Sequence, residues 1–255
     1  MDIVLIGAGN LATRLGLRLR ECNHRIVQVY SRTEASAKLL ASLLGSEWTT
    51  QPDEISPEGQ LYLISVSDKA VESVLAQMNF GNRLVAHTAG SMPMDVLQPF
   101  TINYGVFYPL QTFSKSREVD FAQIPICIEA NSPENLEILH KLGRSMSNDI
   151  REIDTVQRRQ LHLSAVFVCN FVNHLYAVGE ELLKEEKIDF DILKPLILET
   201  AAKAVEFSPK EVQTGPAVRY DRNVIDKHLK MLKSHSQWND IYKLMSESIH
   251  QLHRH

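Results

Sequence analysis

Cysteine is scarce in this 255-residue chain, with only Cys22, Cys127 and Cys169, far apart. Three such residues fit neither a zinc-ligand spacing nor the even-numbered disulfide framework of a small secreted fold. An excess of one charge is also lacking. The 27 Lys and Arg residues against 31 Asp and Glu leave a formal net charge of −4, without the basic footprint that nucleic acid or an anionic membrane surface calls for. No unbroken apolar run reaches the ~20 residues of a membrane-spanning helix, and the opening residues read as a strand rather than a signal peptide. Internal repeats, low-complexity tracts and Ser/Gly linkers are missing too. What remains is ordinary for a globular protein: 44% hydrophobic and 23% charged residues, too apolar for disorder. The expectation is a folded cytoplasmic protein of one large domain or two modest ones, needing no disulfide or structural metal.

Two hydrophobic patterns divide the chain. Over residues 1–153, short β-rich runs at 3–6, 25–30, 61–66, 84–86, 105–109 and 124–129 alternate with helical stretches at 11–21, 34–44, 69–78 and 133–146. Such alternation predicts right-handed βαβ units and a doubly wound, mostly parallel sheet. Strands apolar on consecutive residues, such as Ile3-Val4-Leu5-Ile6, fit a sheet covered on both faces. Over residues 154–255 helical periodicity takes over, near 155–186, 189–207, 221–234 and 236–253, punctuated by Pro209 and Gly215-Pro216. The predicted organisation is an α/β domain followed by an all-α domain.

The chemistry begins at Gly7-Ala8-Gly9-Asn10-Leu11-Ala12, between the first strand and the first helix. This is the G-x-G-x-x-A form of the dinucleotide fingerprint. Gly7 makes the tight turn, Gly9 leaves room for a pyrophosphate, and Ala12 lets the helix pack closely, with Asn10 and Leu11 at the helix N-terminus that faces the phosphates. An NAD-preferring site places an acid about 20 residues on, at the end of the second strand. Here that strand ends in Ser31-Arg32-Thr33. These side chains suit a ribose 2′-phosphate, the guanidinium supplying its counter-charge, and so predict NADP. The competing reading is a solvated Arg32 with Ser31 or Thr33 capping the next helix; Glu34 lies past the strand end.

Ligands of open α/β sheets sit beyond the carboxyl ends of the strands. Ser65-Val66-Ser67-Asp68 leaves that edge, either lining the cofactor or capping the next helix through Ser67 or Asp68. His87-Thr88-Ala89-Gly90 leaves it next: His87 is placed either as a proton donor beside a nicotinamide or as a structural histidine, and Gly90 as a turn. Tyr108 ends the following strand, placed to orient substrate or to pack at a domain junction.

In the helical part, 100° per residue sets Asn173 at about 20°, Asn170 at about 80° and His174 at about 120° from His162. The neighbouring residues are apolar on nearly every side, which predicts a buried helix whose polar groups either satisfy one another or line a cleft facing the first domain. Arg219 is a candidate clamp for a substrate carboxylate or phosphate, and Asp221 either caps the next helix or pairs with Arg219. The closing His250, His253 and His255 read as a solvated helix end, not a metal site.

Taken together, Gly7–Ala12, the 87–90 segment, 108–113, the 162–170 helix and 215–221 resemble a family of bacterial two-domain proteins. These join an NADP-type Rossmann domain to a helical C-terminal domain of unknown function and are often labelled NADP oxidoreductases of the deazaflavin-dependent type. The resemblance spans about residues 2–250, with a broader similarity to pyrroline-5-carboxylate reductase and 6-phosphogluconate dehydrogenase. It implies a helical domain of the 6-phosphogluconate dehydrogenase C-terminal type, a small polar substrate between the domains, and a homodimer built through the helical domain. From their expected places, His87 or His162 is the candidate proton donor, and Asn170 and Asn173 are candidate catalytic residues of the cleft. Many hydroxyacid dehydrogenases of this kinship carry a catalytic Lys one turn before an Asn on the first long helix; Val166 stands there in this chain, so that mechanism is not carried over. The alternative reading is a non-catalytic NADP-binding redox sensor or docking protein.

Overall fold

The computed structural model describes residues 1–254. Contacts divide the chain into two units, Met1–Cys169 and the residues from Asn170 onward. The first unit therefore takes in the first turns of the helix that the sequence assigned to the second.

In the first unit the strands are β1 (Asp2–Ile6), β2 (Arg25–Tyr30), β3 (Glu47–Thr49), β4 (Leu61–Ile64), β5 (Leu84–His87), β6 (Asn103–Pro109), β7 (Ile126–Ala130) and β8 (Ile150–Glu152). They form one sheet in the order β3-β2-β1-β4-β5-β6-β7-β8. All neighbours run parallel except β6 and β7, so the sheet is mixed. Strands β3 and β8 have three residues each, too few to leave a periodicity in the sequence. Ile3, Val4, Leu5 and Ile6 are all fully buried, as an apolar strand covered on both faces must be. Chain order runs outward in opposite directions from β1 and β4, making the β1/β4 boundary the switch point at which such sheets bind ligands.

Helix α1 (Asn10–Glu21) lays Ala12, Leu15 and Leu19 on the sheet with no exposed surface, the i, i+3, i+7 stripe of an amphipathic helix. Helix α2 (Glu34–Leu44) stops at Gly45 in the left-handed conformation, the usual C-terminal signal. The stretch expected as a helix over 69–78 is shorter: a 3₁₀ turn, Asp68–Ala70, then α3 (Val71–Leu75). Helix α4 (Pro133–Met146) starts with Pro133 after Ser132, whose hydroxyl accepts from the Asn135 N–H. Helix α5 (Thr155–Ala165) opens on a capping box between Asp154 and Gln157, two orphan N–H groups satisfied at once.

Beyond α5 the helix changes its winding. Val166–Phe171 is π-helical, and α6 (Val172–Glu185) resumes the α form. Bonds from i to i+5 turn the chain less per residue than α bonds do. The 100° reading of Asn170, Asn173 and His174 against His162 therefore fails across this segment. Thr155–Glu185 is one 31-residue helix with an 18-residue window of mean hydropathy 1.4, long and apolar enough to cross a membrane by length and composition alone. Counting unbroken apolar runs missed it because scattered polar residues interrupt the runs. Its first turns, however, are built into the sheet unit.

The second unit continues with α7 (Lys194–Glu206), α8 (Pro216–Arg219), α9 (Arg222–Met231) and α10 (Ser236–Leu252). Asp221 caps α9 by accepting from the Val224 N–H, which settles the choice the sequence left open. Tyr220 stacks on His250 with ring centroids 4.0 Å apart, and the His228 Nδ1 lies 2.7 Å from the Tyr242 hydroxyl. Burial was expected for the all-round apolar helix, yet neither the π-helical segment nor α6 buries a residue within the single chain.

Candidate active site

The turn after β1 is shaped by what two glycines allow. Gly7 has φ +122°, and a Cβ there would fall 2.2 Å from the Ser65 carbonyl oxygen. Only glycine takes that conformation and that approach. Its N–H donates to the Tyr30 carbonyl at 2.8 Å, joining β1 to the end of β2. At Gly9 a Cβ would meet no atom within 4 Å. Gly9 is also the N-cap of α1, which has no side-chain cap and no acidic residue in its first turn. Asn10 and Leu11 thus begin a helix whose N-terminal donors and positive dipole end are left for an anion, while Ala12 is buried against the sheet. The cradle fits a dinucleotide diphosphate: space where a Cβ would stand, and main-chain donors around it.

The neighbouring strand ends complete this edge. Ser31 is half-buried and donates its N–H to the Thr49 carbonyl at 3.2 Å; Arg32 and Thr33 are exposed. Thr33 stands at the N-cap of α2 without a side-chain cap bond, and Glu34 pairs with Lys38. Arg32 has no ion-pair partner among the described residues. Ser65 donates its N–H to Ile6 O at 2.7 Å and Thr88 donates its N–H to Ile64 O at 3.0 Å, so both mark consecutive strand ends. Val66 is half-buried, Ser67 exposed. The capping expected of Ser67 or Asp68 is not made: the Ser67 side chain caps nothing, and the Asp68 carboxylate accepts from the Ser91 hydroxyl.

Next to this edge, strand β6 and helix α5 bring two candidates together. The Tyr108 hydroxyl lies 3.1 Å from His162 Nδ1, and the rings meet edge to face at 6.1 Å. Gly90 closes the group. A Cβ on it would be 2.5 Å from His162 Nδ1 and 2.8 Å from Tyr108 Cζ. The chain bends at Gly90 as expected, but what requires a glycine there is the close approach. Burial pushes the Tyr108 phenol up to about 12, so it stays protonated and able to donate near neutrality. A phenol donating to Nδ1 puts the proton of a neutral imidazole on Nε2.

His87 ends β5 with no exposed surface. Its Nδ1 accepts from the Ala89 N–H at 3.2 Å and its Nε2 faces the Pro93 carbonyl at 3.3 Å. Burial, then the nearby Arg158 charge, lower its pKa to about 4. It is a neutral imidazole with both nitrogens engaged in its own turn.

Sequence reading missed Arg158 and Glu129. Arg158 is fully buried and forms an ion pair with Glu129 of β7, one helical turn before His162. A buried guanidinium requires a partner, but nothing local in the sequence marks a partner 29 residues away. In the second unit, Asn170 and Asn173 are exposed and make no side-chain hydrogen bond among the described residues, so they do not satisfy one another. Arg219 is exposed on α8.

The description "Domain of unknown function (DUF2520)" fits residues 124–249, and "Rossmann-like domain" fits residues 1–111. The chain is 49% identical to the "putative NADP oxidoreductase BF3122" of Bacteroides fragilis, with a TM-score of 0.92 and 98% of each chain covered. It belongs to this two-domain family, which joins a Rossmann-like domain to DUF2520. More distant structures share the fold. One is the 1-pyrroline-5-carboxylate reductase of Streptococcus pyogenes, at 15% identity and TM-score 0.63, covering 97% of this chain and 98% of that one. Another is the reductive aminase of Aspergillus terreus, at 12% identity and TM-score 0.73, covering 98% and 94%. No curated protein matches the chain.

The buried state of His87 carries a pH dependence. Its folded pKa of about 4 lies below the ordinary unfolded value of about 6.5. The unfolded chain therefore binds this proton first. The stability held above pH ~6.5 is lost as pH falls toward ~4, by about 3 kcal/mol in all. Chemical denaturation at pH 7 and pH 4.5 is expected to show a smaller loss in His87→Asn than in the parent; equal losses in the two proteins would refute it.

Proposed function

We propose that the protein is an NADP(H)-dependent oxidoreductase that passes hydride between the nicotinamide and a small polar molecule bearing a carbonyl or imine. The observation that carries this reading is the uncapped start of α1 at the β1/β4 boundary, open at Gly9. Family membership supports it. In this reading the main-chain donors at Asn10, Leu11 and Ala12 hold the diphosphate, and Ser31, Arg32 and Thr33 hold the 2′-phosphate. Ser65, Val66, Ser67, Asp68 and Thr88 form the wall of the site.

When bound, NADPH supplies the hydride; the protein's own groups manage the proton. Tyr108 and His162 form the donor pair. The phenol proton rests against Nδ1 of His162, and Nε2–H is offered to the oxygen or nitrogen that gains charge. As that proton leaves, the phenol proton moves to Nδ1, so the imidazole ends neutral and the charge rests on Tyr108. An alkoxide or a deprotonated amine is more basic than phenolate, which makes the transfer downhill. His87 keeps the turn after β5 in place. Asn170, Asn173 and Arg219 are exposed polar groups of the second unit.

The helical unit is read as a 6-phosphogluconate dehydrogenase C-terminal type, and the active form as a homodimer through it. Support comes from apolar side chains left in the open on that unit: Ile192, Leu196, Leu198 and Val205 are 61–89% exposed. Patches of this kind mark association surfaces. A cytoplasmic location fits the free thiols of Cys22, Cys127 and Cys169.

Calorimetry with NADPH and NADH tests the cofactor assignment. Tight NADPH binding is expected, with Gly9→Val abolishing it and Arg32→Ala weakening NADPH alone by about tenfold to a hundredfold, the worth of a charged hydrogen bond. Flat titrations of the folded protein would end the proposal. Turnover of NADPH against a panel of ketoacids and imines tests the chemistry. Tyr108→Phe is expected to lower kcat by about 10²–10⁴ while NADPH affinity holds. Tight binding with no turnover across the panel would favour the redox-sensor reading instead.

A further inference from the structure

Arg158 sits at a junction of three segments. One Nη donates to Glu129 on β7. The other donates to the Met92 carbonyl at 2.7 Å and to the Thr155 hydroxyl at 3.2 Å. Thr155 opens α5, and its own N–H and hydroxyl both reach the Glu129 carboxylate, at 3.0 Å and 2.9 Å. The Thr155 oxygen also accepts from the Met94 N–H at 3.1 Å. The loop after β5, the end of β7 and the start of α5 are thereby tied to one buried cation. Met92 lies two residues beyond Gly90, the residue pressed against the donor pair. His162 lies one turn beyond Arg158 on the same helix face. Tyr108 stands on β6, the strand paired with β7 through Tyr108↔Cys127 and Val106↔Glu129.

We propose that Arg158 is a positioning residue, which through Glu129 and the Met92 carbonyl fixes Gly90, Tyr108 and His162 against one another. The inference rests on the assignment of proton transfer to that pair. A fork with a fixed geometry suits the task, since each of its ends binds a different segment. A lysine would keep the charge and lose the second arm. The guanidinium also works against burial at the phenol, lowering its pKa, which eases the charge that comes to rest on Tyr108.

The test reads the His162 ring directly and needs no substrate. In protein carrying isotope-labelled histidine, long-range proton–nitrogen spectra are expected to show His162 as the single Nε2–H tautomer, assigned by its loss in His162→Gln. In Tyr108→Phe that tautomer is expected to give way to a mixture. Two variants then probe the junction. Arg158→Lys leaves Glu129 a cation. The double variant Arg158→Met/Glu129→Met removes both charges together, a replacement that folded proteins often accept. Both are expected to bind NADPH within about threefold of the parent and to show the mixed tautomer. Where a panel substrate turns over, kcat is expected to fall at least tenfold while the KM for NADPH is unchanged. A parental His162 spectrum in either folded variant would overturn the proposal. Failure of NADPH binding or turnover in the parent would instead count against the oxidoreductase reading and leave the spectral answer standing.

Discussion

A guanidinium removed from water must be met by a carboxylate and by further acceptors, and at Arg158 the partners of the two Nη groups come from separate parts of the chain, while the buried Nε has none among the described residues. Glu129 stands next to last on β7, the Met92 carbonyl belongs to the loop after β5, and Thr155 begins the long helix. Losing one partner of such a pair costs about 3–5 kcal/mol, because the other is left charged and buried. The three segments are therefore held in one arrangement. The Tyr108–His162 contact and the seat of Gly90 both follow from it. A short polar cluster sets the geometry that the apolar core around it stabilises.

The glycine turn, at the same edge of the sheet, works by space rather than charge. A side chain is impossible at Gly7, where the Ser65 carbonyl already stands, and unwanted at Gly9, where the chain leaves room. The first of these draws the ends of β1, β2 and β4 together; the second keeps the front of α1 bare. A helix capped by glycine forgoes only about a few tenths of a kcal/mol against a side-chain cap and keeps its electropositive end for a visitor.

Local features were readable in the sequence. The Gly7–Ala12 turn, the buried strands and the stripe of Ala12, Leu15 and Leu19 each depend on residues a few positions apart, and the periods of strand and helix expose them. Non-local features were not. Arg158 and Glu129 look like ordinary surface residues until folding brings them together. His87 sits where a donor was wanted, but its neutrality comes from burial and from the nearby Arg158 charge. The angular reading of Asn170 and Asn173 assumed one winding throughout, and the π segment Val166–Phe171 breaks it. Gly90 was legible as a glycine, yet its reason, the two rings pressed against it, lies 18 and 72 residues away.

The bare front of α1 also bears on how long the molecule survives. Any anion held there favours the folded chain by mass action, by about 2.7 kcal/mol when its free concentration is a hundred times its dissociation constant. Chains formed while that ligand is plentiful spend less time open to proteases, and starvation for it exposes them.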